Sequence, residues 1–111
     1  MSGNLAQYSV VDAPDRERFE IRDGDQVAGF TEYRRRGDLI AFIHTEVAPE
    51  YEGKGVASRL ISSALDTARK EGLAVLPFCP FVLGYIAKHP DEYRDLVPRD
   101  LREHFGLAAD G

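Results

Sequence analysis

The first half of the chain alternates apolar and polar residues with a period of two, the pattern typical of strands. Residues 8–11 form a short stretch of this kind, and Arg18–Asp23 places its apolar side chains on one face. An Asp-Gly-Asp turn signal separates this stretch from residues 26–35, so we expect the two segments to form a hairpin. Leu39–Val47 is rich in β-branched and aromatic residues and is apolar on both faces at its start, which predicts the strongest strand.

The second half changes to helical spacing at Val56, and Gly72 is a typical stop for that helix. Residues 73–76 form a short apolar strand, and a strand–helix–strand order implies a parallel pair joined by a right-handed crossover. Pro80 suits the first turn of a second helix. The apolar face expected for this second helix comprises Phe81, Val82, Tyr85 and Ile86. The predicted fold class is α/β (α+β), a sandwich in which antiparallel strands lead into one βαβ unit.

The remaining segments carry weaker patterns. Residues 91–97 predict a short turn of helix, and residues 99–105 predict a weakly amphipathic helix. A chain of 111 residues is long enough to bury one core and too short for two, so we expect residues 1–111 to form a single domain. Residues 1–16 and 98–111 are expected to be peripheral to it.

Composition narrows the function classes. A net charge of −5 provides no basic face for phosphate neutralisation, so nucleic acid is not an expected partner. The lone cysteine excludes an intramolecular disulfide, and His89 and His104 are too scattered for a metal site. The N-terminus lacks a secretory pattern, and the longest apolar run, residues 73–87, is shorter than a membrane span and holds prolines. We therefore expect a soluble cytoplasmic protein that binds neither a metal nor a membrane.

The most informative segment is the loop between the strongest strand and the long helix. Gly53 and Gly55 let the backbone approach a ligand closely, and the free N–H groups of the helix N-terminus favour an anion. A P-loop is excluded because Lys54 is followed by glycine, and a dinucleotide fingerprint needs glycine where Ser58 stands. An acetyl-CoA loop and a plain strand-to-helix connection both remain open.

Residues 49–61, Pro-Glu-Tyr-Glu-Gly-Lys-Gly-Val-Ala-Ser-Arg-Leu-Ile, resemble the acetyl-CoA-binding signature of the GNAT acetyltransferase superfamily. With His-Thr-Glu-Val at 44–47 and Leu-Pro-Phe-Cys-Pro-Phe-Val at 76–82, the chain is similar to the minimal single-domain branch of that superfamily over about 18–97. Glu52 departs from the pattern, since the position commonly holds Arg or Gln, and we expect it to point to solvent or to cap the helix.

The resemblance implies a GNAT-like mixed sheet, acetyl-CoA as co-substrate and a primary amine as acceptor. It also implies that backbone amides at the end of the strand before the loop hold the pantetheine arm. The cofactor-binding residues it indicates are Val47, Gly53, Lys54, Gly55, Val56, Ala57 and Ser58. Lys54 is also consistent with a solvated loop residue near a phosphate.

Four side chains are candidates for the chemistry. His44 and Glu46 lie two apart on one strand and therefore share a face. Cys79 precedes the helix that Pro80 opens, where a helix N-terminus and a nearby imidazole would lower the pKa of a thiol. The resemblance supports a Cys79–His44 pair, which would accept the acetyl group transiently or transfer protons. Glu46 is a candidate water-linked general base, and Tyr85 a candidate proton donor to the leaving thiolate.

Each candidate has a structural alternative. Cys79 is also consistent with a small buried apolar residue, His44 with a hydrogen-bonded core residue and Tyr85 with helix packing. The function predicted is an acetyl-CoA-dependent N-acetyltransferase acting on a protein lysine, a chain N-terminus or a small amine. The alternative is a non-catalytic CoA- or acyl-CoA-binding or interaction module with the same fold. The chain is expected to be a monomer or a homodimer, and its shortness favours an exposed amine or a partner that completes the acceptor site.

Overall fold

The computed structural model describes residues 7–107, whose five strands form one mixed sheet in chain order. The strands are β1 (Tyr8–Ala13), β2 (Arg18–Asp23), β3 (Gln26–Arg36), β4 (Leu39–Val47) and β5 (Ala74–Pro77). Neighbours among the first four run antiparallel, whereas β4 and β5 run parallel. Parallel neighbours need a crossover connection, and the long helix that follows β4 supplies it. The fold class predicted from the sequence is confirmed.

In the described range, three α-helices follow the antiparallel strands: α1 (Val56–Lys70), α2 (Pro80–Lys88) and α3 (Pro90–Tyr93). Both predicted long helices begin at the expected residues. The predicted helix over 99–105 is wrong: a single 3₁₀ turn, Arg99–Leu101, is followed only by hydrogen-bonded turns. Within the described part of residues 1–16, β1 pairs with β2 along its whole length and forms one edge of the sheet, at the stretch whose alternation predicts a strand.

A β-bulge at Ile43 changes which side chains of β4 face the core. Tyr33 pairs with Phe42 and Glu32 with His44, so Ile43 has no partner on β3. One extra residue shifts the alternation of faces by one position. Phe42 before the bulge is fully buried, whereas His44 just after it is exposed.

The sheet therefore has two unlike faces. One face packs against the buried side of α1 and forms the hydrophobic core. The sheet residues of this core face include Phe19, Ile21, Tyr33, Ile40, Phe42 and Val75. The buried side of α1 comprises Val56, Leu60, Ile61, Ala64, Leu65 and Ala68. The opposite face, called the open face below, carries Arg18, Glu20, Phe30, Glu32, His44 and Glu46. Among these open-face residues only Glu20 is buried, so this side of the sheet is accessible to solvent.

The predicted apolar face of α2 is correct for two of its members. Val82 and Ile86 are buried four residues apart on one side of the helix. Phe81 is 47% exposed, because it lies one position away from that side and turns out of the core. Tyr85 is half-buried.

Candidate functional site

The loop between β4 and α1 uses its glycines for backbone shape. Gly53 and Gly55 have φ of 79° and 77°, in the left-handed region that glycine tolerates best. Gly55 is the N-cap residue of α1, and no side chain caps the helix there. The first-turn N–H groups of α1 therefore remain available to a ligand. Glu52 is exposed, so of the two expectations for it the solvent-facing one is correct.

Tyr51 anchors this loop to the sheet, a role that the sequence pattern did not indicate. Its side chain is buried, and its hydroxyl lies 2.9 Å from both Asp23 Oδ2 and Gln26 Oε1 in the β2–β3 hairpin. The hydrogen bond to Asp23, with burial, raises the pKa of Tyr51 above its ordinary value. The ring also meets Tyr8 edge-on at 6.1 Å. The glycine loop is thus held at its base by contacts from β1 and the hairpin.

A cleft of about 760 Å³ opens beside this loop. It runs from the end of β4 across the N-terminus of α1 to the start of α2. Its lining residues are Thr45, Glu46, Val47, Pro49, Tyr51, Glu52, Gly53, Gly55, Val56, Ala57, Ser58 and Phe81. Six of the seven predicted cofactor-binding residues line it, and Lys54, which is exposed, does not. A volume of this size falls within the range of small-molecule and cofactor sites.

Cys79 is buried and takes part in a short polar chain on the core side of the sheet. Its backbone N–H donates to the Phe42 carbonyl at 2.8 Å. Its Sγ lies 3.3 Å from Thr45 Oγ1, which lies 2.9 Å from Thr31 Oγ1. Cys79 is 3% exposed, yet its partner Thr45 lines the cleft. Thr45 was not among the residues that the sequence singled out.

His44 does not contact Cys79, contrary to the expected pair. After the bulge, His44 faces the open side of the sheet, and Thr45 faces the side on which Cys79 lies. His44 Nε2 instead lies 2.9 Å from Glu46 Oε2. The expectation that His44 and Glu46 share a face is correct, and both side chains are more than half exposed. His44 is therefore not the buried core residue of the structural alternative.

Tyr85 lies apart from the cleft. Its ring centroid is 4.3 Å from that of His89 and 5.9 Å from that of Tyr93. It is not among the residues that line the cleft. This position matches packing within the α2–α3 region more closely than contact with a leaving thiolate.

The open face contains a buried carboxylate that the alternating pattern of β2 gave no reason to expect. Glu20 is 1% exposed; Arg18 donates from Nε at 2.8 Å and Arg22 from Nε at 2.9 Å. Arg16 lies 3.6 Å away. Burial alone would raise the pKa of Glu20, but the hydrogen bonds and charges of Arg22 and Arg18 hold the pKa below its ordinary value. The only sign of this cluster in the sequence is the spacing of Arg18 and Arg22, which lie two positions before and after Glu20.

Residues 7–107 hold no group of three or more His, Cys, Asp or Glu side chains able to bind a metal ion. Within the same range, no helix is both long and apolar enough to cross a membrane.

The fold and the cleft define a class of protein: a mixed α/β sandwich in which a glycine loop joins a strand to a helix at the mouth of a cleft. Over residues 18–96 the chain matches the family described as GCN5-related N-acetyl-transferase. This match covers well over half of the chain, which therefore belongs to that family, as the resemblance of its motifs predicted.

Solved structures share the fold. A GCN5-like candidate N-acetyltransferase from Staphylococcus aureus, solved by NMR, is similar with a TM-score of 0.60 and 23% identity over 83% of this chain and 89% of that one. The ribosomal-protein-S18-alanine N-acetyltransferase from Escherichia coli is similar with a TM-score of 0.50 and 20% identity over 67% of this chain. The present chain spans 43% of the length of the E. coli enzyme.

Proposed function

We propose that this protein transfers an acetyl group from acetyl-CoA to a primary amine. The observation that carries the proposal is the cleft at the uncapped N-terminus of α1, lined by Gly53 and Gly55. Membership of the family supports the same chemistry. A pyrophosphate is a good ligand for such a helix terminus, because backbone N–H groups and the helix dipole both favour an anion.

The residues near the cleft suggest how the transfer proceeds. Bound acetyl-CoA supplies the thioester; the amine nitrogen forms a bond to its carbonyl carbon, and the carbon–sulfur bond then breaks. The attacking amine must lose a proton, and Glu46, which lines the cleft and contacts His44, is a suitable acceptor directly or through water. The leaving thiolate must gain a proton. Cys79, linked through Thr45 to the cleft wall, is the candidate for that transfer or for a transient acetyl-cysteine. The proposal gives Tyr85 a packing role.

Turnover decides between an enzyme and a non-catalytic CoA-binding module. Thiol release from acetyl-CoA would be measured with a panel of amines for the wild type, Cys79→Ala, His44→Ala and Glu46→Gln. We expect turnover by the wild type and a loss of about a hundredfold or more for Glu46→Gln, the usual scale of general-base catalysis. CoA binding by calorimetry without turnover of any amine would contradict the proposal and favour a binding module.

A second measurement addresses the two routes open to Cys79. Mass spectrometry after rapid quench would search for an acetyl adduct on Cys79. An adduct that forms and decays at the rate of turnover identifies the covalent route. Turnover without an adduct identifies direct attack, with Cys79 limited to proton transfer or packing.

A matched pair of glycine variants tests the cofactor loop. Gly53 in the loop and Gly37 in the β3–β4 turn both have positive φ, and a Cβ at either position meets open space. Gly53→Ala and Gly37→Ala are therefore expected to cost similar folding stability, about 1–2 kcal/mol each. Only Gly53→Ala should weaken acetyl-CoA binding, because Gly53 lines the cleft and Gly37 does not. Equal affinities for the two variants would place the anion site elsewhere.

A further inference from the structure

The open face carries a second cavity, of about 280 Å³, that is separate from the cleft. Its lining residues are Arg18, Val27, Ala28, Gly29, Phe30, Glu46 and Ala48. Most of this lining is apolar, and the volume lies just below the range typical of drug-sized ligands, which suits a smaller group such as one side chain or a short amine. Glu46 lines both this cavity and the cleft. Among the described residues, Glu46 is the one residue that the two linings share.

The aromatic wall of this second cavity is held in place by a continuous set of contacts. Arg18 Cζ lies 4.3 Å from the centroid of the Phe30 ring. The same guanidinium donates to the buried Glu20 carboxylate through Nε, at 2.8 Å. The His44 ring lies 6.1 Å from Phe30, and His44 in turn contacts Glu46. The buried carboxylate thus fixes the guanidinium, which covers the ring that forms the wall.

We propose that this second cavity is the acceptor site, and that the acceptor is a primary amine at the end of an unbranched apolar stem. This inference rests on the proposed function. The ammonium group would lie against Glu46, and the methylenes of the stem would lie against Phe30 and Val27. Arg18 is a specificity-determining residue in this proposal, and Glu20 a positioning residue that acts through it.

The placement of charge and apolar surface in the cavity favours this class of acceptor, because the Arg18 guanidinium is bonded to Glu20 and Glu46 is the carboxylate of the lining. A carboxylate at the end of an apolar wall is complementary to a cation on a hydrocarbon stem. A compact polar amine would make no contact with the apolar wall. The α-amine of a chain N-terminus would place its polar peptide groups against that apolar surface. Because the open face is accessible to solvent, the stem can belong to a free amine or to a side chain of a larger molecule.

The first experiment measures kcat/KM for ethylamine, propylamine, butylamine and pentylamine. Each methylene that enters the cavity is expected to raise kcat/KM by about fourfold. Arg18→Gln and Arg22→Gln provide a matched pair, because both arginines bond to Glu20 and only Arg18 lines the cavity. We expect the dependence on stem length to be lost in Arg18→Gln and kept in Arg22→Gln. Kinetics independent of stem length in the wild type, or equal behaviour of the two variants, would overturn the proposal.

A binding measurement separates failure of this proposal from failure of the proposed function. Pentylamine would be titrated into the wild-type protein with ¹³C-labelled valine methyl groups. Val27 lines the cavity, whereas Val97 is fully buried in the core. We expect saturable shifts of the methyl resonances at Val27 and none at Val97. Pentanol should not reproduce these shifts, and Glu46→Gln should abolish them. This result would support an ammonium site even if no amine were turned over. Turnover of amines without any shift at Val27 would overturn the acceptor site and leave the proposed function intact.

Discussion

Gly29→Ala is the substitution whose effect follows most directly from the structure. Gly29 pairs with Val47 across β3 and β4. A Cβ at this position would lie 2.8 Å from the Glu46 carbonyl oxygen and 3.3 Å from Val47 Cγ2. The contact with the carbonyl is with backbone, which no change of rotamer can relieve. The end of β4 must therefore move by about 0.6 Å for an ordinary van der Waals contact to form.

This displacement has two expected consequences. Overpacking in a well-packed region lowers the free energy of unfolding, here by about 1–3 kcal/mol. The moving segment also carries Glu46, which lines both cavities. Since a misplacement of about 1 Å in an active site costs about a hundredfold, we expect kcat/KM to fall about tenfold. Urea denaturation measures the first effect, and thiol release from acetyl-CoA measures the second.

Gly84→Ala is the control. Gly84 lies within α2, and a Cβ built there meets no atom within 4 Å. Alanine has the higher helix propensity, so this variant should gain up to about 1 kcal/mol. Neutral surface substitutions change the free energy of unfolding by no more than about 0.5 kcal/mol. If the change in Gly29→Ala is also within this range, and its kcat/KM equals that of the wild type, the steric reasoning is wrong.

Three further effects are expected. Glu20→Gln removes the charge shared by Arg18 and Arg22 and should lower the free energy of unfolding by about 2–3 kcal/mol in urea. Because the pKa of Glu20 is lowered on folding, its contribution to stability is present above the ordinary value of 4.5 and is lost as the pH falls below it. The free energies of unfolding of the wild type and Glu20→Gln should therefore converge in acid. A difference between them that does not change with pH would contradict this. Burial, together with a hydrogen bond to a carboxylate, raises the pKa of Tyr33 and Tyr93, so their contribution to stability is present below pH 10 and lost as the pH rises through the raised values. An absorbance titration of the folded protein should show these two phenols ionising last, and full ionisation near pH 10 would refute the assignment. Tyr93→Phe removes the 2.8 Å hydrogen bond to Asp66 and should cost about 1 kcal/mol in urea.

The sequence indicated the elements well because their signals are local. The period of two in β2 to β4 and the helical spacing from Val56 are set by which side chains must be buried on each element. The two glycines of the loop were also a local signal, because the lack of a Cβ permits the left-handed conformations that Gly53 and Gly55 adopt. The helix predicted over 99–105 failed because two apolar residues do not provide a face that packing can stabilise.

The expected Cys79–His44 pair failed for a different reason. Alternation along β4 is a reliable guide only while the register is regular, and the bulge at Ile43 shifts it by one residue. Nothing in the residues of β4 alone marks the bulge, because it arises from pairing with β3. The partner of the Cys79 thiol is consequently Thr45, and His44 contacts Glu46 on the other side of the sheet.

The sequence by itself determined the order and type of the main elements, the place of the glycine loop and the family to which the chain belongs. These depend on local periodicity, on backbone conformation and on residues adjacent in the chain. Only the tertiary structure decided which side chains come together: the Thr31–Thr45–Cys79 chain, the burial of Glu20 among arginines, and the place of Glu46 in the lining of two cavities. Such contacts join residues that are distant along the chain or are brought to one face by strand register. The pairing of the strands produces these contacts, and no single segment of the sequence determines that pairing.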